Sequence, residues 1–202
     1  MRVECRSLCL SALLLGSAAF APAQDRPAQK PAGDQALVTA LQSAMTPGEG
    51  QKKLEFMVGT FDVKIRTWLD PSGPPIESTA TAVCNWVLGN RYVQQMLAGY
   101  VGGEPWSGIG YAGFDNVSKT YVSTYMDTGS TGMEWYSGTM DAAGKLAKLT
   151  GTTHDEVTGK PLALEMRLSV APNGDHVTEL WEGDLTGKMA KIMELQYTRK
   201  KS

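Results

Sequence analysis

Cysteine and histidine are scarce in this sequence, and their scarcity narrows the chemistry available to the protein. The 202 residues include three cysteines and two histidines. Cys5 and Cys9 lie in an N-terminal segment that we expect to be removed, so the rest of the chain keeps Cys84 alone and cannot form an internal disulfide. Without disulfides, an exported protein must take its stability from its hydrophobic core. Because Cys84 lies in the strand-like run 83–86, we predict a buried, unreactive thiol.

An excess of positive charge is missing as well. The chain carries 19 Lys and Arg against 21 Asp and Glu, a formal net charge of −2. Nucleic-acid-binding proteins present a basic face or stripe, so we predict no nucleic-acid partner. After the N-terminal segment, no apolar run reaches the roughly 20 residues that span a bilayer. We therefore expect no membrane span once that segment is removed.

Neither histidine suggests a metal or cofactor site. His154 precedes Asp155 and Glu156, but residues 157–160 continue as a hairpin loop, and adjacent loop side chains rarely converge on one ion. We expect a solvated turn there and no metal. His176 follows an Asn-Gly-Asp turn at the start of a strand, and we expect its side chain to face solvent. Haem ligation by either histidine is the less favoured alternative.

The glycine-rich stretches do not form a nucleotide-binding motif. Gly108, Gly110 and Gly113 match a dinucleotide fingerprint by letter, but that fingerprint requires a turn from a strand into a helix. Here an alternating strand pattern runs through the glycines, so we predict that they permit strand coiling or close packing. The sequence has no phosphate loop and no nucleophile elbow, and we predict no cofactor.

The first 23 residues have the three parts of a secretory signal peptide. Arg2 and Arg6 give a positive start, an apolar run follows over 8–19, and Ala-Pro-Ala at 21–23 supplies a small-residue cleavage site. The apolar run is too short to span a bilayer comfortably, which argues against an N-terminal membrane anchor. The interpretation is an exported bacterial protein, periplasmic or secreted.

A linker and a helical lead-in come next. Residues 24–33 are polar and proline-rich, which is typical of a flexible linker. The lead-in covers 34–58, where Asp34 can cap a helix that runs to Met45. The predicted apolar stripe of this helix consists of Leu37, Val38, Leu41 and Met45.

From residue 59 to 201, apolar residues alternate with polar ones and no longer follow helical spacing. Phe61, Val63 and Ile65 alternate with Asp62 and Lys64. Nine turn signals then recur roughly every 10 to 14 residues and divide this part into ten strand-like segments. Short connectors favour antiparallel hairpins, so we predict an all-β fold, an up-and-down antiparallel β-barrel of about ten strands preceded by a short helical segment. The alternative, a Greek-key sandwich, needs a long crossing connection.

Aromatic and polar side chains share alternating faces of the predicted strands, as the apolar walls and few polar groups of a ligand cavity do. The predicted walls are Tyr92, Met96, Trp106, Tyr125 and Trp135. The side chains predicted to orient a polar end of the ligand are Arg91, Gln94, Asp127 and Glu179. Trp181 shares the face of Glu179 and completes the predicted ligand-binding set. If that face points inward, His176 points outward by alternation.

Several longer stretches resemble a known bacterial family. They are Leu54-Glu-Phe-Met-Val-Gly-Thr-Phe-Asp-Val, Trp86-Val-Leu-Gly-Asn-Arg-Tyr-Val, Gly108-Ile-Gly-Tyr-Ala-Gly-Phe-Asp-Asn-Val, Tyr121-Val-Ser-Thr-Tyr-Met-Asp-Thr and Met193-Glu-Leu-Gln-Tyr-Thr-Arg-Lys. On these motifs, residues 51–201 resemble the family catalogued as domain of unknown function 1579, with Phe61 where we expect Trp. The resemblance implies a calycin-like, lipocalin-related barrel and assigns no catalytic residue.

The sequence favours a binding protein that holds a small apolar or amphipathic molecule inside the barrel. One alternative is a filled barrel that acts through its surface as a protein-interaction module. A less favoured alternative is a small-molecule isomerase or hydrolase that uses Asp127 or Glu179 as its base. No sequence feature predicts a particular oligomeric state.

The signal peptide supplies the first prediction. We expect export of the full-length chain to be followed by cleavage after Ala23, because cleavage after Ala21 would place Pro22 directly after the scissile bond. N-terminal sequencing and the intact mass of the exported protein should show a chain that begins at Gln24. An Ala23→Phe variant should keep the precursor mass, since the cleavage site requires a small residue. A mature chain that begins at Pro22, or an uncleaved one, would contradict this assignment.

Overall fold

Ten antiparallel strands close into one barrel in the part of the chain that the structure, a computed structural model, describes: residues 32–183, 186 and 188–201. The strands are β1 (Gly59–Thr67), β2 (Ile76–Val87), β3 (Tyr92–Val101), β4 (Glu104–Asp115), β5 (Thr120–Asp127), β6 (Glu134–Met140), β7 (Leu146–His154), β8 (Pro161–Val170), β9 (His176–Gly183) and β10 (Met189–Arg199). Each strand pairs with its neighbours in sequence, and β1 pairs with β10. The up-and-down barrel is confirmed, and the sandwich is wrong.

The connections explain why consecutive strands pair. Each of the nine predicted turn signals falls at a junction between successive strands, although two of them overlap the ends of β4. The turn between β3 and β4 consists of Gly102 and Gly103, with φ of 61° and 89°. Two-residue hairpin turns of this kind need positive φ and match the right-handed twist of the flanking strands, so they favour glycine. Short turns such as this one leave no chain for a crossing connection.

Strict alternation along the strands builds the interior. In β1, Phe61, Val63 and Ile65 are at most 1% exposed, whereas Asp62 and Lys64 between them face outward. Side chains that pair across neighbouring strands lie on the same face of the sheet. The inward set of one strand therefore determines the inward set of the next strand around the barrel.

The lead-in forms one longer helix and two short turns. Helix α1 (Ala32–Met45) begins two residues before Asp34, and α2 (Glu49–Lys52) and a 3-10 turn (Glu55–Met57) follow it. The predicted stripe of α1 does not pack on the barrel, because Leu37, Leu41 and Met45 are each more than half exposed. The predicted signal peptide and residues 24–31 of the predicted linker lie outside the described residues. Among the helices that are described, none is long and apolar enough to cross a bilayer.

Residues 49–57, which we call the lid, cover the end of the barrel where β1 begins and β10 ends. Gln51 is 6% exposed, and its Nε2 donates a hydrogen bond of 2.8 Å to the carbonyl oxygen of Phe114 at the end of β4. Arg199, the last residue of β10, donates through Nη2 to Phe56 O at 2.8 Å and through Nη1 to Val58 O at 2.6 Å. We call this the lid end of the barrel and the opposite one the far end.

A glycine on the inner face of β6 gives a test of this geometry. A Cβ on Gly138 would lie 2.1 Å from the carbonyl oxygen of Lys148 on β7. We expect Gly138→Ala to lower the free energy of unfolding by roughly 1–3 kcal/mol, because β6 and β7 would have to move apart. Chemical denaturation measures this change. The control is Ser137→Ala on the exposed outer face of β6, and equal effects of the two substitutions would contradict the close approach of the strands.

Candidate ligand-binding cavity

The barrel encloses a cavity of about 180 Å³. Its walls are mainly apolar, and they include Leu54, Met57, Leu97, Leu149, Leu168 and Leu195. Leu54 and Met57 belong to the lid, so the lid forms part of the cavity wall. A cavity of about 150 Å³ with apolar walls is sufficient to hold benzene. This cavity is therefore large enough for a small organic molecule.

Three of the ten predicted ligand-binding side chains line this cavity: Trp106, Tyr125 and Asp127. Trp106 Nε1 donates a hydrogen bond of 3.1 Å to Oδ2 of Asp127. The other carboxylate oxygen of Asp127 accepts the backbone N–H of Gly129 at 2.8 Å. Asp127 is therefore tied to a turn amide, and it also presents its carboxylate at the far end of the cavity.

The glycines of β4 make room for Tyr125. A Cβ on Gly108 would lie 2.1 Å from the hydroxyl oxygen of Tyr125, and a Cβ on Gly110 would lie 3.4 Å from its ring. The predicted close packing at these glycines is confirmed. Burial, followed by the charge of Asp127, raises the pKa of the Tyr125 hydroxyl far above its usual value, so this side chain stays neutral.

Tyr92, Gln94 and Met96 lie on the outer face of β3, contrary to our assignment. The register pairs Gln95 with the buried Cys84 of β2, which turns Gln95 inward and its neighbours outward. Met96 is 54% exposed, and Gln94 Nε2 donates to the hydroxyl of Tyr111 on the outer face at 2.8 Å. These three side chains therefore do not form the cavity wall.

Arg91 and Trp135 are also outside the cavity. Arg91 lies in the turn before β3, and its Nη2 donates to the carbonyl oxygen of Met45 at 2.7 Å. This hydrogen bond satisfies one of the free carbonyls at the C-terminus of α1. Trp135 is 62% exposed, whereas its neighbour Tyr136 is 3% exposed. Alternation along β6 therefore places Tyr136, and not Trp135, inside the barrel.

Glu179 and Trp181 point outward from β9, the reverse of the orientation that we predicted. Glu179 forms an ion pair with Lys191 at 3.2 Å. The guanidinium of Arg167 lies 4.0 Å from the ring centre of Trp181 and covers it. A large aromatic side chain can lie on an outer face when a cation packs over it. Because β9 therefore carries large side chains on both faces, its sequence does not show which face points inward.

Sequence reasoning missed two inward carboxylates near the far end, Glu134 and Glu182. Burial raises the pKa of the Glu134 carboxyl, a hydrogen bond of 2.6 Å from the hydroxyl of Tyr136 opposes that rise, and Asp127 and Glu182 add to it by repulsion. Burial also raises the pKa of Glu182, with smaller contributions from the loop residues Asp155 and Glu156. The charged groups that line the far end, as far as the structure describes them, thus include three carboxylates. The sequence signal for Glu134 is that it lies two residues before Tyr136 on the same strand, so both side chains share one face.

His176 points into the barrel at the lid end, so the prediction that it faces solvent is wrong. It is 3% exposed and lies among Phe56, Phe61 and Tyr197. Burial is the main cause that lowers the pKa of the imidazole to about 4. The hydrogen bond to Gly174 and the charge of Asp175 oppose this fall, and the nearby guanidinium of Arg199 adds to it. The ring is therefore neutral at pH 7. Side chains alternate along β9, so the outward position of Glu179 places His176, three residues earlier, on the inward face. Sequence reasoning missed this because it assigned Glu179 to the interior.

The remaining candidate for chemistry is the thiol of Cys84. It is 1% exposed, and burial raises its pKa to about 11. A thiol that stays protonated is a poor nucleophile, so the predicted buried thiol is confirmed. Within the described residues, no group of three or more His, Cys, Asp and Glu side chains could hold a metal ion.

The geometry defines the class of the protein: a closed, ten-stranded, up-and-down antiparallel barrel with an internal apolar cavity and a helical lid. Residues 46–199 match the family described as "Protein of unknown function (DUF1579)". The chain belongs to this family, and the barrel agrees with the calycin-like fold that the resemblance implied. No match is found among curated proteins.

The buried imidazole of His176 predicts a pH-dependent stability. The unfolded chain binds the imidazole proton below about pH 6.5, but the folded chain binds it only below about pH 4. Protonation therefore favours the unfolded chain across this window, and stability falls as the pH falls. Relative to a His176→Phe variant, the free energy of unfolding of the wild type should drop by about 3 kcal/mol between pH 7 and pH 4.

Denaturant unfolding of both proteins at each pH measures this difference. The carboxylates titrate in both proteins, so their contribution cancels in the comparison. A stability difference that does not change with pH would show that His176 is not buried in its neutral form.

Proposed function

We propose that this protein is exported and binds a small apolar or amphipathic molecule in the cavity of its barrel. The observation that carries the proposal is the cavity of about 180 Å³ with mainly apolar walls. A well-packed core leaves few voids larger than a water molecule. Inward side chains of a barrel near this size can fill it completely. A cavity that persists in spite of this is well suited to a ligand.

The distribution of polar groups supports an amphipathic ligand. Asp127 and Glu134 line the cavity near the far end, whereas leucines, methionines and aromatic rings form most of the remaining wall. A few polar groups at one end of an apolar cavity orient a bound molecule. The apolar part of the ligand would lie along the barrel axis, and a polar group would meet the carboxylates.

The proposal of export rests on the first 23 residues. Their positive start, apolar run and small-residue cleavage site fit a signal peptide. The rest of the chain suits such a destination, because its single cysteine, Cys84, is buried and offers no exposed thiol to an oxidising environment.

A protein-interaction module is the second candidate, and one observation favours it. Val83, Met96, Ile109 and Met126 pair in sequence across β2 to β5 and form an apolar row on the outer face of the barrel. Val83 and Met96 are 41% and 54% exposed. Exposed apolar patches often mark interaction sites, but the row leaves the internal cavity without a role.

A cavity-filling substitution tests the binding proposal. Ser123 lines the cavity from β5, and Ser137 is exposed on the outer face of β6. With propylbenzene as the probe in calorimetry, Ser123→Leu should weaken binding roughly tenfold or more, which corresponds to about 1.4 kcal/mol, because the leucine occupies part of the cavity. Ser137→Leu is the matched control and should bind as the wild type does.

Thermal unfolding of both variants establishes that each one is folded. Equal binding by Ser123→Leu and Ser137→Leu would place the probe outside the cavity. Native mass spectrometry of protein purified from its own host, followed by denaturing extraction, should detect a co-purifying small molecule. Bare protein that also fails to bind propylbenzene would overturn the proposal and favour the interaction module.

A further inference from the structure

One polar atom of the cavity wall has no partner. Among the residues that the structure describes, Nε2 of His176 is the buried side-chain nitrogen or oxygen that makes no hydrogen bond. His176 is 3% exposed and belongs to the cavity lining at the lid end. Leaving a buried polar group unpaired is costly, and folded proteins pair most such groups. An unpaired acceptor buried beside a cavity therefore points to a molecule that pairs with it.

The position of the imidazole proton follows from the other nitrogen. Nδ1 of His176 lies 3.3 Å from the carbonyl oxygen of Gly174. A carbonyl oxygen can only accept, so Nδ1 carries the proton and donates. In a neutral imidazole the second nitrogen is then an acceptor with a free lone pair. At pH 7 His176, which lines the cavity at its lid end, thus carries a buried hydrogen-bond acceptor, Nε2.

Three aromatic rings hold this acceptor in place. Tyr197 stacks on the imidazole with ring centres 4.3 Å apart and planes 10° apart. Phe56 and Phe61 meet the imidazole edge-on, with ring centres at 5.2 and 5.1 Å. Nδ1 faces the carbonyl of Gly174 in the turn between β8 and β9. Nε2 is fully buried, so the surrounding side chains separate it from the open part of the cavity. Phe56 belongs to the lid and is only half-buried, and we expect it to shift when a ligand reaches Nε2.

The surroundings select the chemical group that Nε2 accepts. The guanidinium of Arg199, 4.7 Å from the ring centre of Phe61, repels positive charge at the imidazole. This repulsion exceeds the opposing attraction from Asp175 and disfavours an ammonium group. A carboxylate would require a protonated imidazole, and burial opposes that protonation. An ether or ketone oxygen would bring its lone pairs against the lone pair of Nε2. A neutral O–H or N–H group meets none of these penalties.

We propose that the ligand is a small, largely apolar molecule whose leading end is a neutral hydrogen-bond donor, such as a phenol or an alcohol, and that this group donates to Nε2 of His176. This inference rests on the proposed function, because it assigns the ligand class of the same cavity. The bond forms in a dry, aromatic environment, where a hydrogen bond is stronger than in water. The donor end lies under the lid and the apolar body extends toward the far end, where a second polar group of an amphipathic ligand would meet the carboxylates.

Three probes of similar size distinguish the contribution of the donor group to binding from the contribution of the apolar body. 4-Ethylphenol and 4-methylanisole are isomers, but only the phenol has an O–H group, and propylbenzene has no oxygen. Calorimetry at pH 7 should show 4-ethylphenol binding to the full-length protein, processed as its host processes it, roughly three- to tenfold more tightly than 4-methylanisole. In His176→Phe this preference should be lost or reversed, while propylbenzene binding is retained.

The other histidine provides the matched control. His154 is exposed at the end of β7, so His154→Phe should keep the preference for the phenol. If His176→Phe does not fold, the test uses wild-type protein with ¹⁵N-labelled histidine. Accepting a hydrogen bond should then move the Nε2 resonance of His176 on addition of 4-ethylphenol, and 4-methylanisole should not move it.

The outcomes separate this inference from the proposed function. Equal binding of the phenol and the anisole by the wild type would overturn the proposed hydrogen bond from the ligand to His176. The cavity would remain a binding site, with water as the partner of Nε2. A preference that survives in His176→Phe would assign the donor to the carboxylates of the far end and would also overturn it. Failure of all three probes to bind the wild type would overturn both the inference and the proposed function.

Discussion

Closure of the barrel between β1 and β10 is the constraint on which the other features depend. The register runs from Phe61 opposite Arg199 to Thr67 opposite Met193. Because the sheet has no free edge, every strand must present one face to a single shared interior. The burial of β1 alternates in this way from Thr60 to Ile65, and each later strand inherits its inward face from its neighbour through the register. A slip by one residue at any pair would turn a whole set of side chains to the wrong face.

The same closure brings the last residue of β10 to the lid. Arg199 is opposite Phe61, lies over its ring, and donates hydrogen bonds to the carbonyl oxygens of Phe56 in the lid and of Val58 directly after it. The residue that pairs β10 with β1 therefore also holds the lid over the end of the barrel. The aromatic environment of His176 forms at this junction, since Phe56 comes from the lid, Phe61 from β1 and Tyr197 from β10. Removing the lid would expose the imidazole that the barrel buries.

The two ends of the cavity differ in character, and the outer surface differs from both. A neutral imidazole among aromatic rings lies at the lid end, and carboxylates gather at the far end. On the outer face, Lys191 pairs with Glu194 along β10, and Arg66 of β1 pairs with Glu194 across the two strands. Long charged side chains can lie over apolar surface there. Large apolar residues on an outer face, such as Trp181, therefore do not mark the interior.

The sequence by itself determined the number of strands, their order and the turns, because turn residues and alternation are local signals. Trp106, Tyr125 and Asp127 were predicted as cavity residues in this way, and they do line the cavity. Which face of each strand points inward was decided only by the tertiary structure. Strand β9 carries large side chains on both faces, so His176 and Trp181 exchanged places relative to the prediction. The lid contacts of Arg91 and Arg199 join residues far apart in sequence, and only the closed barrel brings them together.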